Sequence, residues 1–372
     1  MAKSKKNSAQ DTLQVLPFEK PIEDVRARLL ELEELAALTS QDLSEEVEFY
    51  RERLRRLTEE IYGDLSPWDR VQVARHPMRP LVSDFIESCC EDWVELHGDG
   101  YFADDQAMVT GLATLDGVRV MLVGHRKGRD TKSRMACNFG SAHPEGYRKA
   151  LRKMRLAARM GLPVVCLVNT PGAYPGVGAE ERGQARAIAE NIHEMFGIRV
   201  PVIAIVLGEG GSGGALGIAV ADRVGMLENS WYSVISPEGC ASILWHSAEG
   251  REEAAEALQL TAAPLLRLGI IDKVVPEPVG GAHRDPAAAL RALKEQILAW
   301  VRELQQLTPD ELVKQRRRKF RYVAASIACL ETALNPAQTG HEDDSEVPEP
   351  GAEAPDRLAG LAEPPARATR EP

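Results

Sequence analysis

The 372-residue chain has only six cysteines and no C-x-x-C pair, so it encodes no zinc ribbon of its own. Cys89, Cys90, Cys137, Cys166, Cys240 and Cys329 are scattered, with Cys166 inside an apolar run. That pattern fits reduced thiols in a cytoplasmic compartment better than a disulfide framework. The N-terminus, MAKSKKNSAQDTLQV, starts basic but has no apolar stretch, and does not read as a secretory signal. A membrane span is absent too. The one segment that resembles a span, Val200 to Leu227, is broken by Glu209 and several glycines and takes in Asp222 and Arg223. Nor is there a nucleic-acid surface: the net charge is −11, and the basic clusters are short. Arg152, Lys153 and Arg155, and Arg316 to Lys319, read as solvated helix faces or as contacts for a polyanionic ligand.

What is present is a soluble composition, 44% hydrophobic and 27% charged, with room for a sizeable core. Five stretches follow. Residues 1–16 are polar and expected to be mobile. Residues 17–78 form a helical segment, with Ile22, Val25, Leu29, Leu30, Leu32 and Leu35 at helical spacing. A second helix there carries Val47, Tyr50, Leu54 and Leu57 and opens on a capping box at Thr39 to Asp42, and a third begins at Ser66-Pro67. Residues 79–275 alternate strands and helices. The predicted strands are 107–115, 118–124, 163–169, 200–207 and 223–227, and Asp116-Gly117 marks a hairpin. Predicted helices cover 144–160, 179–196, 212–220 and 237–246. Residues 276–334 are helical again, and 335–372 form a Pro/Glu-rich tail, with nine acidic against three basic residues, expected to be disordered.

Two segments repeat one grammar: an apolar strand, a glycine-rich turn, then a helix. They are PVVCLVNT-PGAYPGVG-AEERGQ and PVIAIVL-GEGGSG-GALGIAV. The second contains G-x-G-x-x-G, the spacing of a dinucleotide turn. However, the stretch after it is short and Asp222 precedes the next strand, whereas a dinucleotide fold places its acid at that strand's end. Glu228 keeps the spacing itself open. No G-K-[ST] follows, so a phosphate-binding P-loop is not encoded. The alternative reading is an oxyanion hole, in which small residues past a strand leave backbone N–H groups facing a ligand. A helix starting near Ser212 would place its positive end behind them.

The motifs NTPGAYPGVGAEERGQ, GEGGSGGAL, YSVISPEGCASILW, GHRKGRDTK, NFG…PEGYRKALR and PEPVGGAHR resemble those of the alpha subunit of bacterial-type acetyl-CoA carboxylase carboxyltransferase. The resemblance runs from about Leu16 to Tyr322. It implies an α/β crotonase-like ββα superhelix with appended helices, at work in an assembly of two alpha and two beta subunits. It further implies transfer of a carboxyl group to acetyl-CoA from carboxybiotin on a biotin carboxyl carrier protein, charged by biotin carboxylase. The product is malonyl-CoA for fatty acid biosynthesis. The zinc is expected on the beta subunit, not on this chain. Carboxylation of another acyl-CoA, or a scaffold role toward the beta subunit, are the alternatives. The Met135-Ala136-Cys137 stretch departs from the family, where a basic pair is frequent.

By that resemblance Gly210 and Gly211 are the backbone donors to the biotin ureido oxygen. Transfer of this kind needs donors for two oxygen-centred anions and no protein base, since biotin itself accepts the proton. Bulkier residues at Gly210 or Gly211 are expected to block the reaction and leave the fold intact. Gly172, Ala173, Tyr174 and Gly176 line the neighbouring turn, as pocket walls or as a tight turn. Ser212 either caps its helix or touches substrate, and Gly213 follows it. His125, Lys127, Arg129 and Lys132 form a basic strip, and Lys127 and Arg129 could meet CoA phosphates or the biotin carboxylate, or form a solvated loop. Glu209 is expected to be ion-paired and not catalytic. His143 and His283 are read as structural, and Cys240 as buried.

Overall fold

The structure is a computed structural model. It describes residues 15–39 and 42–334, with side chains to Arg321. Most of the expected mobile N-terminus and all of the expected tail lie outside the described residues. The chain divides into a unit through Leu330 and a second from Glu331; nearly all described residues fall in the first.

Helices α1 (Lys20–Leu38) and α2 (Ser44–Gly63) form the expected hairpin. It closes on Leu29, Leu32 and Val47, with Tyr50 and Leu54 against them. Leu30 and Leu35, counted into the apolar stripe from spacing, face solvent instead. The capping box is not found as expected. Thr39 donates its hydroxyl back to the Leu35 carbonyl at 2.8 Å, and α2 begins at Ser44, bonded to Asp42. Ser40 and Gln41 lie outside the described residues. Helix α3 (Pro67–Ala74) starts where Ser66-Pro67 placed it, the Ser66 hydroxyl accepting from the Asp69 amide. Helix α4 (Val82–Cys89) follows.

The core is one eight-stranded sheet. In chain order come β1 (Glu91–Glu95), β2 (Met108–Leu115), β3 (Val118–His125), α5 (Thr131–Ala136), α6 (Pro144–Met160) and β4 (Val164–Thr170). Then follow α7 (Val177–Glu181), α8 (Gln184–Met195), β5 (Val202–Gly211), α9 (Ser212–Leu216), β6 (Arg223–Leu227) and β7 (Trp231–Ser233). The chain closes with α10 (Pro237–Trp245), α11 (Arg251–Ala257), α12 (Ala262–Arg267), β8 (Lys273–Val275), α13 (Pro286–Leu304) and α14 (Pro309–Leu334). Strand order is β1-β2-β3-β4-β5-β6-β8, with β7 paired to β5. Asp116 and Gly117 both take positive φ, as a two-residue hairpin between twisted strands requires. From β3 onward the pairings are parallel.

Parallel strands covered on both faces need no polar alternation, and this explains the continuous apolar runs. Val164, Cys166 and Val168, with Val202, Ala204 and Val206, face α6 and α8. Val165 and Leu167, with Ile203, Ile205 and Leu207, face α4 and α13. The unit β2-β3-α6, with the short α5 between, has the ββα order the resemblance implies, and the chain has the expected α/β fold.

Three expectations are corrected. The helix read for 179–196 is broken at Gly183, which has φ +80°, into α7 and α8. The segment 208–211 is not a turn but the end of β5. Glu209, Gly210 and Gly211 pair with Trp231, Tyr232 and Ser233, and Gly210 also pairs with Thr170. Nor are the basic clusters all solvated. Arg316 is fully buried and donates to Asp222 and to the carbonyls of Met195, Ile198 and Val200, while Lys153 reaches the His97 carbonyl at 3.1 Å.

Candidate active site

Strands β4 and β5 end side by side, so the two glycine segments meet backbone to backbone. A Cβ built on Gly211 would lie 2.1 Å from the Pro171 carbonyl oxygen, and one on Gly214 would lie 2.5 Å from the Ala173 nitrogen. Only glycine permits that approach. Gly210 is nearly as tight: its Cβ would stand 2.8 Å from the Tyr232 ring and 3.0 Å from the Trp231 carbonyl. Bulkier residues at Gly210 and Gly211 therefore disturb the fold, contrary to expectation. The chain reverses at Ser212, which is exposed and held left-handed at φ +55°. A non-glycine residue there stores strain, of about 1–3 kcal/mol. Its side chain caps nothing, because α9 is N-capped by Gly211 without a side-chain bond. Helix α9 has five residues, too few for the long helix expected or for much of a dipole. Gly213 is open: a Cβ there would have Ile188 as its nearest neighbour, at 3.8 Å.

The segment after β4 is fixed by polar contacts. Thr170 Oγ1 accepts from the Gly172 amide at 3.1 Å and donates to the Gly172 carbonyl at 2.8 Å. Gly172 has φ +153° and open space where a side chain would be. The Tyr174 amide donates to Ala142, and Gln184 on α8 donates to both carbonyls, of Ala142 and Tyr174. The Tyr174 ring stacks on His143 at 4.1 Å, and Gly176 caps α7. Gly172, Ala173, Tyr174 and Gly176 thus form one ordered, partly exposed wall beside the β5–α9 junction.

The basic strip divides. Lys127 does not reach freely outward: it pairs with the buried Glu209, which also takes Arg75 at 2.8 Å. Arg75 in turn holds Glu238 of α10 and lies about 6 Å over both Trp68 and Trp231. Burial by itself would push the Glu209 carboxyl up. Lys127 and Arg75 outweigh it and hold the group below its ordinary range. Arg129 turns away to Asp84 and the Pro77 carbonyl. His125 is fully buried; burial first, and then the Lys127 charge, pull its pKa down to about 3, so it is neutral. Its Nδ1 accepts from the Asn169 amide at 3.5 Å. His283 is structural, set among Glu19, Tyr62 and His76. Cys240 is half-buried rather than buried, whereas Cys166 is enclosed and its thiol pKa pushed up.

Arg75 and Asn169 escaped the sequence reading. Arg75 sits in a helical segment without any chemical motif. The available signal was Glu209, because a carboxylate inside an apolar run requires a cationic partner from elsewhere. Among the described residues no three His, Cys, Asp or Glu side chains gather to hold a metal ion. No described helix is long and apolar enough to cross a membrane.

Fold and site together define an α/β protein built on a largely parallel sheet, with its candidate chemistry carried by backbone where β4 and β5 end. Residues 15–324 match the family described as acetyl co-enzyme A carboxylase carboxyltransferase-like. The chain is 56% identical over 310 residues to the acetyl-coenzyme A carboxylase carboxyl transferase subunit alpha of Thermus thermophilus, covering 83% of this chain and 98% of that one. The subunit of the same name from Gemmatimonas aurantiaca is 54% identical over 309 residues, with 82% and 96% covered. Among solved structures, transcarboxylase 12S is similar over 57% of this chain and 41% of its own, at 25% identity and a TM-score of 0.46. The chain belongs to the acetyl-CoA carboxylase carboxyltransferase alpha-subunit family.

Proposed function

We propose that this chain forms half of a carboxyltransferase that moves a carboxyl group from carboxybiotin to acetyl-CoA, and that the β5–α9 junction, Gly210 to Gly213, stabilises the negative oxygen this creates. The observation that supports the reading is the backbone approach of Gly211 and Gly214 to Pro171–Ala173. It brings two strand ends and the first turn of α9 to one surface. First-turn amides of a helix lack intrahelical acceptors. In a parallel ladder the paired amides of Gly210 and Gly211 point to neighbouring strands. Those of Ser212 and Gly213, which lie outside the ladder, are therefore the candidate donors, and Ser212's left-handed turn sets where they point.

Carboxybiotin would supply the carboxyl group, and with it a ureido oxygen that gains charge as the group departs. The fit is one of shape: Gly172, Gly213 and the exposed Ser212 leave room at the junction for a flat ring system. Tyr174, Ala173 and Gly176 supply its wall, and the Glu209 pairs with Lys127 and Arg75 hold the end of β5 in place. Lys127 and Arg129 act here in ion pairs first, not as free phosphate ligands. The beta subunit would complete the acyl-CoA side and carry the zinc. A biotin carrier protein and biotin carboxylase would serve the assembly in a reducing, cytoplasmic compartment.

The test is malonyl-CoA formation from carboxybiotinylated carrier protein and acetyl-CoA. This chain is assayed alone, with its beta subunit, and with beta plus Gly213→Val, a position where an added Cβ meets nothing nearer than Ile188 at 3.8 Å. Activity is expected when the two subunits are paired and not from this chain alone, with Gly213→Val reduced about 100-fold, on the scale of a lost oxyanion donor. A wild-type rate from a folded Gly213→Val variant would make the junction a packing feature.

A further inference from the structure

A cleft of about 180 Å³ adjoins the junction, with Pro171 and Glu209 in its lining. Its cations are Arg75, Arg79, Lys127 and Arg134. Glu209 lies between Arg75 and Lys127, Glu238 takes Arg75, and the buried Glu277 takes Arg79. Four cations thus meet three carboxylates, and one positive charge is left over. It belongs to Arg134, half-buried on α5, whose guanidinium makes no ion pair or hydrogen bond among the described residues. Asn169 adds a donor. Its Oδ1 accepts from the Glu209 amide at 3.2 Å, which leaves its Nδ2 for the cleft.

We propose that this cleft binds one monoanionic carboxylate, that of the carboxylated acyl product, with Arg134 as its charge partner and Asn169 as a donor. The proposal rests on the carboxyltransferase reading. A guanidinium fork matches a planar carboxylate with two parallel hydrogen bonds. A phosphate dianion would leave one charge uncompensated in a cleft whose other cations are taken. Acetyl-CoA carries no such carboxylate, so the cleft distinguishes product from substrate.

The test uses the full chain with its beta subunit, assayed in both directions, as wild type, Arg134→Met and Arg134→Lys. Arg134→Met is expected to raise KM for malonyl-CoA at least tenfold and KM for acetyl-CoA less than twofold, with partial recovery in Arg134→Lys. Arg186→Gln, a surface change on α8 at a residue paired only with Glu190, serves as the charge control. Equal shifts in both KM values, or none, overturn the proposal. Monomethyl malonate, a monoanion like the malonyl thioester, is expected to compete with malonyl-CoA and to lose that effect in Arg134→Met; competition by bicarbonate but not monomethyl malonate would assign the cleft to free bicarbonate and overturn the product assignment. If the wild-type pair transfers no carboxyl group, the reading of function fails. Thermal stabilisation of the chain by monomethyl malonate, lost in Arg134→Met, would then still support the cleft, and its absence would sink it.

Discussion

Replacing Gly211 by alanine adds one carbon atom. That atom would stand 2.1 Å from the Pro171 carbonyl oxygen, 2.3 Å from its carbon and 3.0 Å from the Gly172 nitrogen. None of the three belongs to a side chain that can swing away, so the ends of β4 and β5 must separate. Overpacking where neighbours can yield costs about 1–3 kcal/mol; a backbone clash belongs at the top of that range, about 3 kcal/mol. Two residues on, Gly213→Ala meets only Ile188 at 3.8 Å and exchanges glycine for the best helix former, a gain of up to about 1 kcal/mol. The two substitutions are chemically identical, yet should differ by about 4 kcal/mol. At about 2 °C per kcal/mol for a chain of this size, their thermal midpoints separate by about 8 °C, Gly211→Ala being the lower. Differential scanning calorimetry of the full chain measures this. Midpoints within about 1 °C of each other would refute the close approach, and with it the joining of the two glycine segments into one surface.

Acid should unfold the protein partly through His125. Its pKa is about 3 in the folded chain against 6.5 when free, so between those values the unfolded chain binds the extra proton and stability falls as pH falls. From pH 7 to pH 5 that loss is about 2 kcal/mol. Glu19, held below its ordinary range, loses its contribution only below about pH 4.5 and leaves this window clear. Urea midpoints at pH 7 and 5 should differ less in His125→Gln than in wild type, and an unchanged difference would mean that His125 is not what titrates. Arg316→Met strips Asp222 of its buried partner and should cost about 3–5 kcal/mol, with much of that recovered by adding Asp222→Leu. A loss under about 1 kcal/mol in urea unfolding would show that Arg316 is not the anchor of α14.

Much of the fold was legible because both sheet faces are covered. The runs at 163–169 and 200–207 are apolar at almost every position, and glycine, proline and Asp-Gly mark where they stop. The short strands were not legible. β7 and β8 have three residues each and owe their conformation to β5 and β6, which no local pattern records. The same cause turned the expected glycine loop into strand: Glu209 to Gly211 continue β5 because Trp231 to Ser233, twenty-two residues later, lie beside them.

The site was legible by type but not by reason. Small residues past a strand could serve a ligand or a close backbone neighbour, and the sequence is the same for both. The structure separates these at single positions. Gly211 and Gly214 are small because Pro171, Gly172 and Ala173 are in the way, whereas Gly213 has no such neighbour. A glycine with room around it is one whose smallness the fold does not demand. If selection has kept Gly213 small, what needs the space comes from outside the chain, and this makes it a sharper probe of function than the two glycines first singled out.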